Sequence, residues 1–63
     1  MKSMKSRDLI RYVESHGWEH IETKGSHMQY GKRGHRVTIP GPANREVPPG
    51  TVRAIKKTVE EVG

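Results

Sequence analysis

The residues with the most chemical potential lie together mid-chain, in Lys24-Gly25-Ser26-His27. Histidine has a reference pKa of ~6.5, so near neutrality the His27 ring can accept a proton or donate one. Lys24 supplies a fixed positive charge just before it. Gly25-Ser26 makes a corner where consecutive backbone N–H groups can converge on an anion. A titrating ring, a cation and an anion-binding corner in one short stretch suit proton transfer beside a bound anion. The plainer alternative is an exposed strand histidine with no role. A second basic cluster, Lys32, Arg33 and Arg36, suits phosphate tracking, although a charged hairpin tip is often only solvated.

The other histidines carry less. His16 falls at the end of a predicted helix, where positive charge is favourable. His20 and His35 fall on neighbouring predicted strands, and His35 shares the parity of Val37, which predicts a half-buried ring near the sheet end. A metal site built from His20, His27 and His35 needs side chains from conflicting faces, so no metal ligand set and no cofactor is expected.

Composition narrows the partners. Twelve Lys and Arg against 7 Asp and Glu give a formal charge of +5 in 63 residues. That balance favours an anionic partner, with nucleic acid or an acidic protein the leading classes. The absence of cysteine excludes disulfides and thiolate metal sites and fits a reducing cytoplasm, the expected location. No apolar run approaches the ~20 residues of a membrane span, and no apolar segment follows the basic start as a signal peptide requires. The length predicts one small domain over residues 1–63 with a thin core, since such chains bury only ~60% of their unfolded surface. Met1-Lys2-Ser3 is echoed by Met4-Lys5-Ser6, as an upstream initiation codon would leave it, and residues 1–3 are expected to be loosely held.

The elements that must position the corner follow from periodicity. Leu9, Ile10 and Val13 fall on one face with Tyr12 beside them, which predicts a helix from Arg7 to about His16. Ser6 is the expected N-cap, Asp8 complements the helix dipole, and Gly17 ends the helix. Trp18 to Thr23 reads as a strand with Ile21 and Thr23 on one face and His20 and Glu22 on the other, Trp18 plugging the junction. Gly25-Ser26 turns the chain into a second strand, His27 to Gly31, with Met28 and Tyr30 facing the core. Lys32-Arg33-Gly34 is a hairpin turn, and His35 to Ile39 is a third strand with Val37 and Ile39 inward. Residues 40–50 hold all four prolines and read as a long connection tied down by Val47. Val52, Ile55, Val59 and Val62 stripe a second helix from Thr51 to about Val62, with Arg53, Lys56, Lys57, Glu60 and Glu61 facing solvent. The predicted fold class is α+β in the order α-β-β-β-α: a three-stranded antiparallel sheet with two helices on one face. The other face stays open and carries His27, Gln29, Arg36 and Thr38.

In this order and spacing, several stretches together resemble the HicA family of bacterial and archaeal toxins. They are Lys5-Ser6-Arg7-Asp8-Leu9-Ile10, Gly17-Trp18, Lys24-Gly25-Ser26-His27 with Gln29-Tyr30, Val37-Thr38-Ile39-Pro40 and Val47-Pro48-Pro49-Gly50-Thr51-Val52. No single piece is specific. Many family members carry a second histidine where this chain has Met28. The resemblance implies a fold like the double-stranded-RNA-binding domain and an mRNA-cleaving toxin held inactive by a HicB-type antitoxin. It also implies that the histidine after Gly-Ser is catalytic, which maps onto His27.

RNA carries its own nucleophile, the 2′-hydroxyl, so a ribonuclease of this kind can work without a metal. It needs a base, an acid and donors for the developing phosphate charge. The expectation is that His27 serves as base or acid, Lys24 contacts a phosphate, and the Gly25-Ser26 backbone joins an anion-binding corner. Two other classes remain: a non-catalytic RNA-binding module of the same fold, and a protein-interaction domain whose basic surface meets an acidic partner. Only cleavage separates them from the toxin.

Overall fold

Hydrophobic spacing decides where the helices form, and the computed structural model, which describes residues 3–63, places them close to expectation. The elements are β1 (Met4–Lys5), α1 (Ser6–Ser15), β2 (Glu19–Lys24), β3 (His27–Lys32), β4 (His35–Pro40), β5 (Glu46–Val47) and α2 (Pro49–Val62). Strands β2, β3 and β4 form an antiparallel sheet in that order. Leu9 and Val13 of α1 and Val52, Ile55 and Val59 of α2 bury their side chains with Tyr30, Val37 and Ile39 of the sheet. Both helices therefore cover one face, and the α+β prediction holds. Met1 and Lys2 of the expected loose start lie outside the described residues, while Ser3 is tied by its hydroxyl to Glu46 Oε2 at 2.7 Å.

The ends of α1 are held differently from each other. At its C-terminus Gly17 takes φ +86°. The Gly17 N–H donates to the Glu14 carbonyl at 3.0 Å and the Trp18 N–H to the Val13 carbonyl at 3.1 Å, the paired bonds of a Schellman motif. Trp18 is buried at the junction, as expected, and β2 starts one residue later, at Glu19. At the N-terminus the expectation that Ser6 caps the helix fails. Lys5 occupies the cap position without a side-chain bond, and Ser6 is fully buried inside the first turn. Loop carbonyls satisfy the first N–H groups instead: Ser6 donates to Arg45 O and Arg7 to Ala43 O, both at 2.9 Å. The freed Ser6 hydroxyl donates to the Pro40 carbonyl, tying the helix start to the end of β4.

The proline-rich connection contains a feature that periodicity cannot show. Met4 pairs with Val47 and Lys5 with Glu46 in a two-stranded ribbon, too short to carry any alternation. Val47 is fully buried, so the ribbon gives its backbone partners where water cannot. Helix α2 starts at Pro49, earlier than expected, because proline at the first helical position loses no bond. Lys56 is half-buried instead of solvated: its ammonium lies 5.1 Å from the Tyr12 ring centroid.

The face assignment of β2 also needs correction. A bulge falls between His20 and Glu22, so Ile21 is the extra residue and the alternation shifts across it. His20 and Thr23 come to one side, where His20 Nε2 and Thr23 Oγ1 are 2.8 Å apart. Ile21 turns to the open face and is 44% exposed. His35 is exposed, not half-buried: it is the first residue of β4, directly after the β3–β4 turn.

Candidate functional site

The hairpin β2–β3 builds the Lys24–His27 corner. Lys24 and His27 are the last cross-strand pair, and Gly25-Ser26 is the two-residue turn between them. Gly25 has φ +58°, the left-handed backbone that a tight hairpin needs and that glycine adopts without a Cβ penalty. A directly paired cross-strand couple shares a face, so Lys24 and His27 stand together on the open side of the sheet. Both are exposed. His27 also pairs with Pro40 across β4, which puts it on the central strand. Among the described residues no side chain hydrogen-bonds its ring, so both nitrogens are available to an incoming group.

The corner is braced from behind. Gly41 is buried, and a Cβ there would overlap the Ser26 carbonyl oxygen. The chain after β4 thus presses directly on the turn that carries His27. Pro40, next to Gly41, accepts the Ser6 hydroxyl bond. A path of direct contacts therefore runs from the start of α1 to the histidine. Sequence reasoning missed Gly41 and misread Ser6, since neither signal is local.

The rest of the open face continues from His27 along the strands. Glu22, Gln29 and Thr38 form the next row, and Glu19, Gly31 and Arg36 the row after it. Arg36 Nη1 donates to Gln29 Oε1 at 3.1 Å. The expected cluster of Lys32, Arg33 and Arg36 is divided. Arg36 shares the face of His27. Lys32 pairs with His35 on the opposite parity, and its ammonium donates to the His16 carbonyl at 2.5 Å. There it complements the negative end of α1 and is half-buried. Arg33 sits at the hairpin tip with φ +52°, followed by Gly34 at +81°, the sign pattern of a type I′ turn.

His16 lies at the end of α1, its Nδ1 2.9 Å from the Tyr12 carbonyl. Tyr30 is buried in the core, as its parity with Met28 predicts. No group of three metal-ligating side chains is brought together among the described residues. No helix among them is long and apolar enough to cross a membrane. The arrangement can hold an anion at the Lys24–Gly25–Ser26 corner and exchange a proton at His27. A family model described as the HicA toxin of bacterial toxin–antitoxin systems matches residues 6–60. A search among curated proteins finds no match.

Proposed function

The chain belongs to the HicA toxin family, and from that premise we propose that it is a metal-independent endoribonuclease that cleaves mRNA in the cytoplasm and so inhibits translation and growth. The observation that carries this reading is the pairing of an exposed His27 with Lys24 across a Gly25-Ser26 turn, on the uncovered face of the sheet. His27 takes the proton of a ribose 2′-hydroxyl. The 2′ oxygen attacks the adjacent phosphorus, and the bond to the 5′ oxygen of the next nucleotide breaks. The leaving 5′ oxygen, on the far side of the phosphorus from the 2′ oxygen, takes its proton from water, and the imidazolium gives its own proton to solvent, so the ring ends neutral. The products are a cyclic phosphate and a free 5′-hydroxyl.

Lys24 and the turn N–H groups meet the negative charge that builds on the phosphate oxygens. Positioned proton transfer is typically worth ~10²–10⁴-fold. With no carboxylate bonded to its ring, His27 should be a modest catalyst, which suffices when a message needs few cuts. The family is one of toxin–antitoxin systems, and a HicB-type antitoxin would neutralise this chain by masking His27. It would cover the open face or present carboxylates to Lys24 and Arg36.

The test is cleavage of a long single-stranded RNA in EDTA by the parent and by His27→Ala, each shown folded by circular dichroism. Cleavage by the parent alone is expected. Binding without cleavage by either protein would make this an RNA-binding module, the reading that the unpartnered His27 ring also allows. Equal cleavage by both would remove His27 from the mechanism. Saturating antitoxin should abolish cleavage, and unchanged cleavage would refute masking.

A further inference from the structure

The open face has a second feature at the end away from His27. There a shallow hollow at the sheet's end is lined on the open face by Glu19, Ile21, Gly31 and Arg36, with Arg33 at the hairpin tip and His35 from the opposite parity. Its shape follows from two local facts. The bulge in β2 turns Ile21 outward, and Gly31 has no side chain to obstruct it. A Cβ on Gly31 would lie 2.5 Å from Ile21 Cδ1. The isoleucine therefore lies down over the central strand, an apolar surface among polar neighbours. Ile21 is the one large hydrophobic residue exposed among the described residues.

Charge on this face changes along β2: Lys24 stands beside His27, and Glu22 and Glu19 follow it toward the far end. Glu19 and Glu22 lie on β2, whereas Arg36 lies on β4 and Arg33 at the β3–β4 tip. A polyanion held by Lys24 and His27 is therefore turned away from Glu22 and Glu19 and drawn along β3 and β4. It passes Gln29 and Thr38, both uncharged, before it meets Arg36. Gly31 is four steps along the strand from His27, about 13 Å at ~3.3 Å per residue. That span is about four nucleotides of stacked strand at ~3.4 Å each, or fewer if the strand is extended.

We propose that this hollow is a second RNA subsite, in which Arg36 and Arg33 hold a backbone phosphate up to about four nucleotides from the scissile one and Ile21 supports a base. The proposal rests on the ribonuclease reading for its substrate. It adds that productive RNA is single-stranded and lies along β3, because a base reaches Ile21 only when it is unpaired. The occupant is defined by a phosphate and an exposed base in one strand.

The test measures affinity of His27→Ala protein for oligouridylates from two to ten nucleotides. Affinity should step up about tenfold near four to five nucleotides, as the far phosphate reaches the hollow. In the background of His27→Ala, Arg36→Ala with Arg33→Asn should remove that step, asparagine being chosen because it tolerates the positive φ at the turn. The salt dependence of binding should weaken by about 0.7 in log–log slope for each phosphate that the variant no longer neutralises. Ile21→Ser should reduce the step while leaving the salt slope unchanged. Both surface variants should keep the parent's circular dichroism spectrum. A smooth rise with length, or a step that survives the arginine changes, would overturn the subsite. Failure of the parent to cleave RNA would instead count against the ribonuclease reading, and the binding series would still decide the subsite.

Discussion

Gly41→Ala should damage the His27 corner more than it damages the fold. Gly41 has no positive φ, so the effect is purely steric. Its new methyl group would overlap the Ser26 carbonyl oxygen and stand 3.2 Å from Met28 Cε. The methionine can swing aside, but the carbonyl belongs to the turn backbone, and it can move only by carrying His27 with it. Displacing a reacting group by about 1 Å lowers rate by about 10²-fold. Overpacking of this kind costs about 1–3 kcal/mol. At ~0.05–0.15 kcal/mol per residue, a chain of 63 residues has about 3–9 kcal/mol of stability. The variant should therefore stay folded at 25 °C in most of that range, with Tm lower by roughly 4–8 °C per kcal/mol. Single-turnover cleavage at saturating RNA, with thermal melts followed by circular dichroism, separates the two effects. RNA affinity should change little, since no cation is altered. The His27 ring resonances should shift in the NMR spectrum even if cleavage is too slow to follow. A folded variant with the parent's rate and unchanged ring resonances would refute the idea that Gly41 positions His27.

Other substitutions test the frame. Ser6→Ala removes the buried hydroxyl that donates to Pro40 and should cost about 1–3 kcal/mol, read as a lower Tm; an unchanged Tm would mean the bond holds nothing. Ile39→Ala empties a fully buried site, and its ~2–5 kcal/mol approaches the whole stability, so partial unfolding at 25 °C is expected by circular dichroism. Gly50→Ala in α2 meets no neighbouring atom and should raise stability by about 0.4–1 kcal/mol, whereas Gly17→Ala at φ +86° should lower it, both by urea melts. Burial and then the charge of Glu14 push the Tyr30 phenol above its ordinary 10.0; burial, then the charge and hydrogen bond of Glu60, do the same for Tyr12. The unfolded chain thus loses these protons first, so stability present below about pH 10 should fall as pH rises through the folded values. Denaturant midpoints that stay level or increase between about pH 9.5 and 11.5 would contradict that sign.

Much was legible because the signals are local. Helix stripes, strand alternation in β3 and β4, and the glycines at 17, 25 and 34 each act within a few residues, and they placed His27 on the open face just after a turn. Period-2 alternation failed at β2, where one extra residue reverses the parity of the residues before it relative to those after it, so Ile21 and His20 changed sides. Side-chain reach failed at Lys32: a long flexible cation goes to the nearest carbonyl dipole, and the end of α1 lies beside it only in the folded chain. Ser6 has the composition of a cap, yet distant carbonyls compete for its first-turn N–H groups and its hydroxyl. The sequence alone determined the element order, the buried stripes and the chemistry available at residues 24–27. Tertiary structure decided which cations share the histidine's face, what braces the turn, and the hollow over Gly31. Those depend on contacts between residues far apart in the chain, and no periodicity records them.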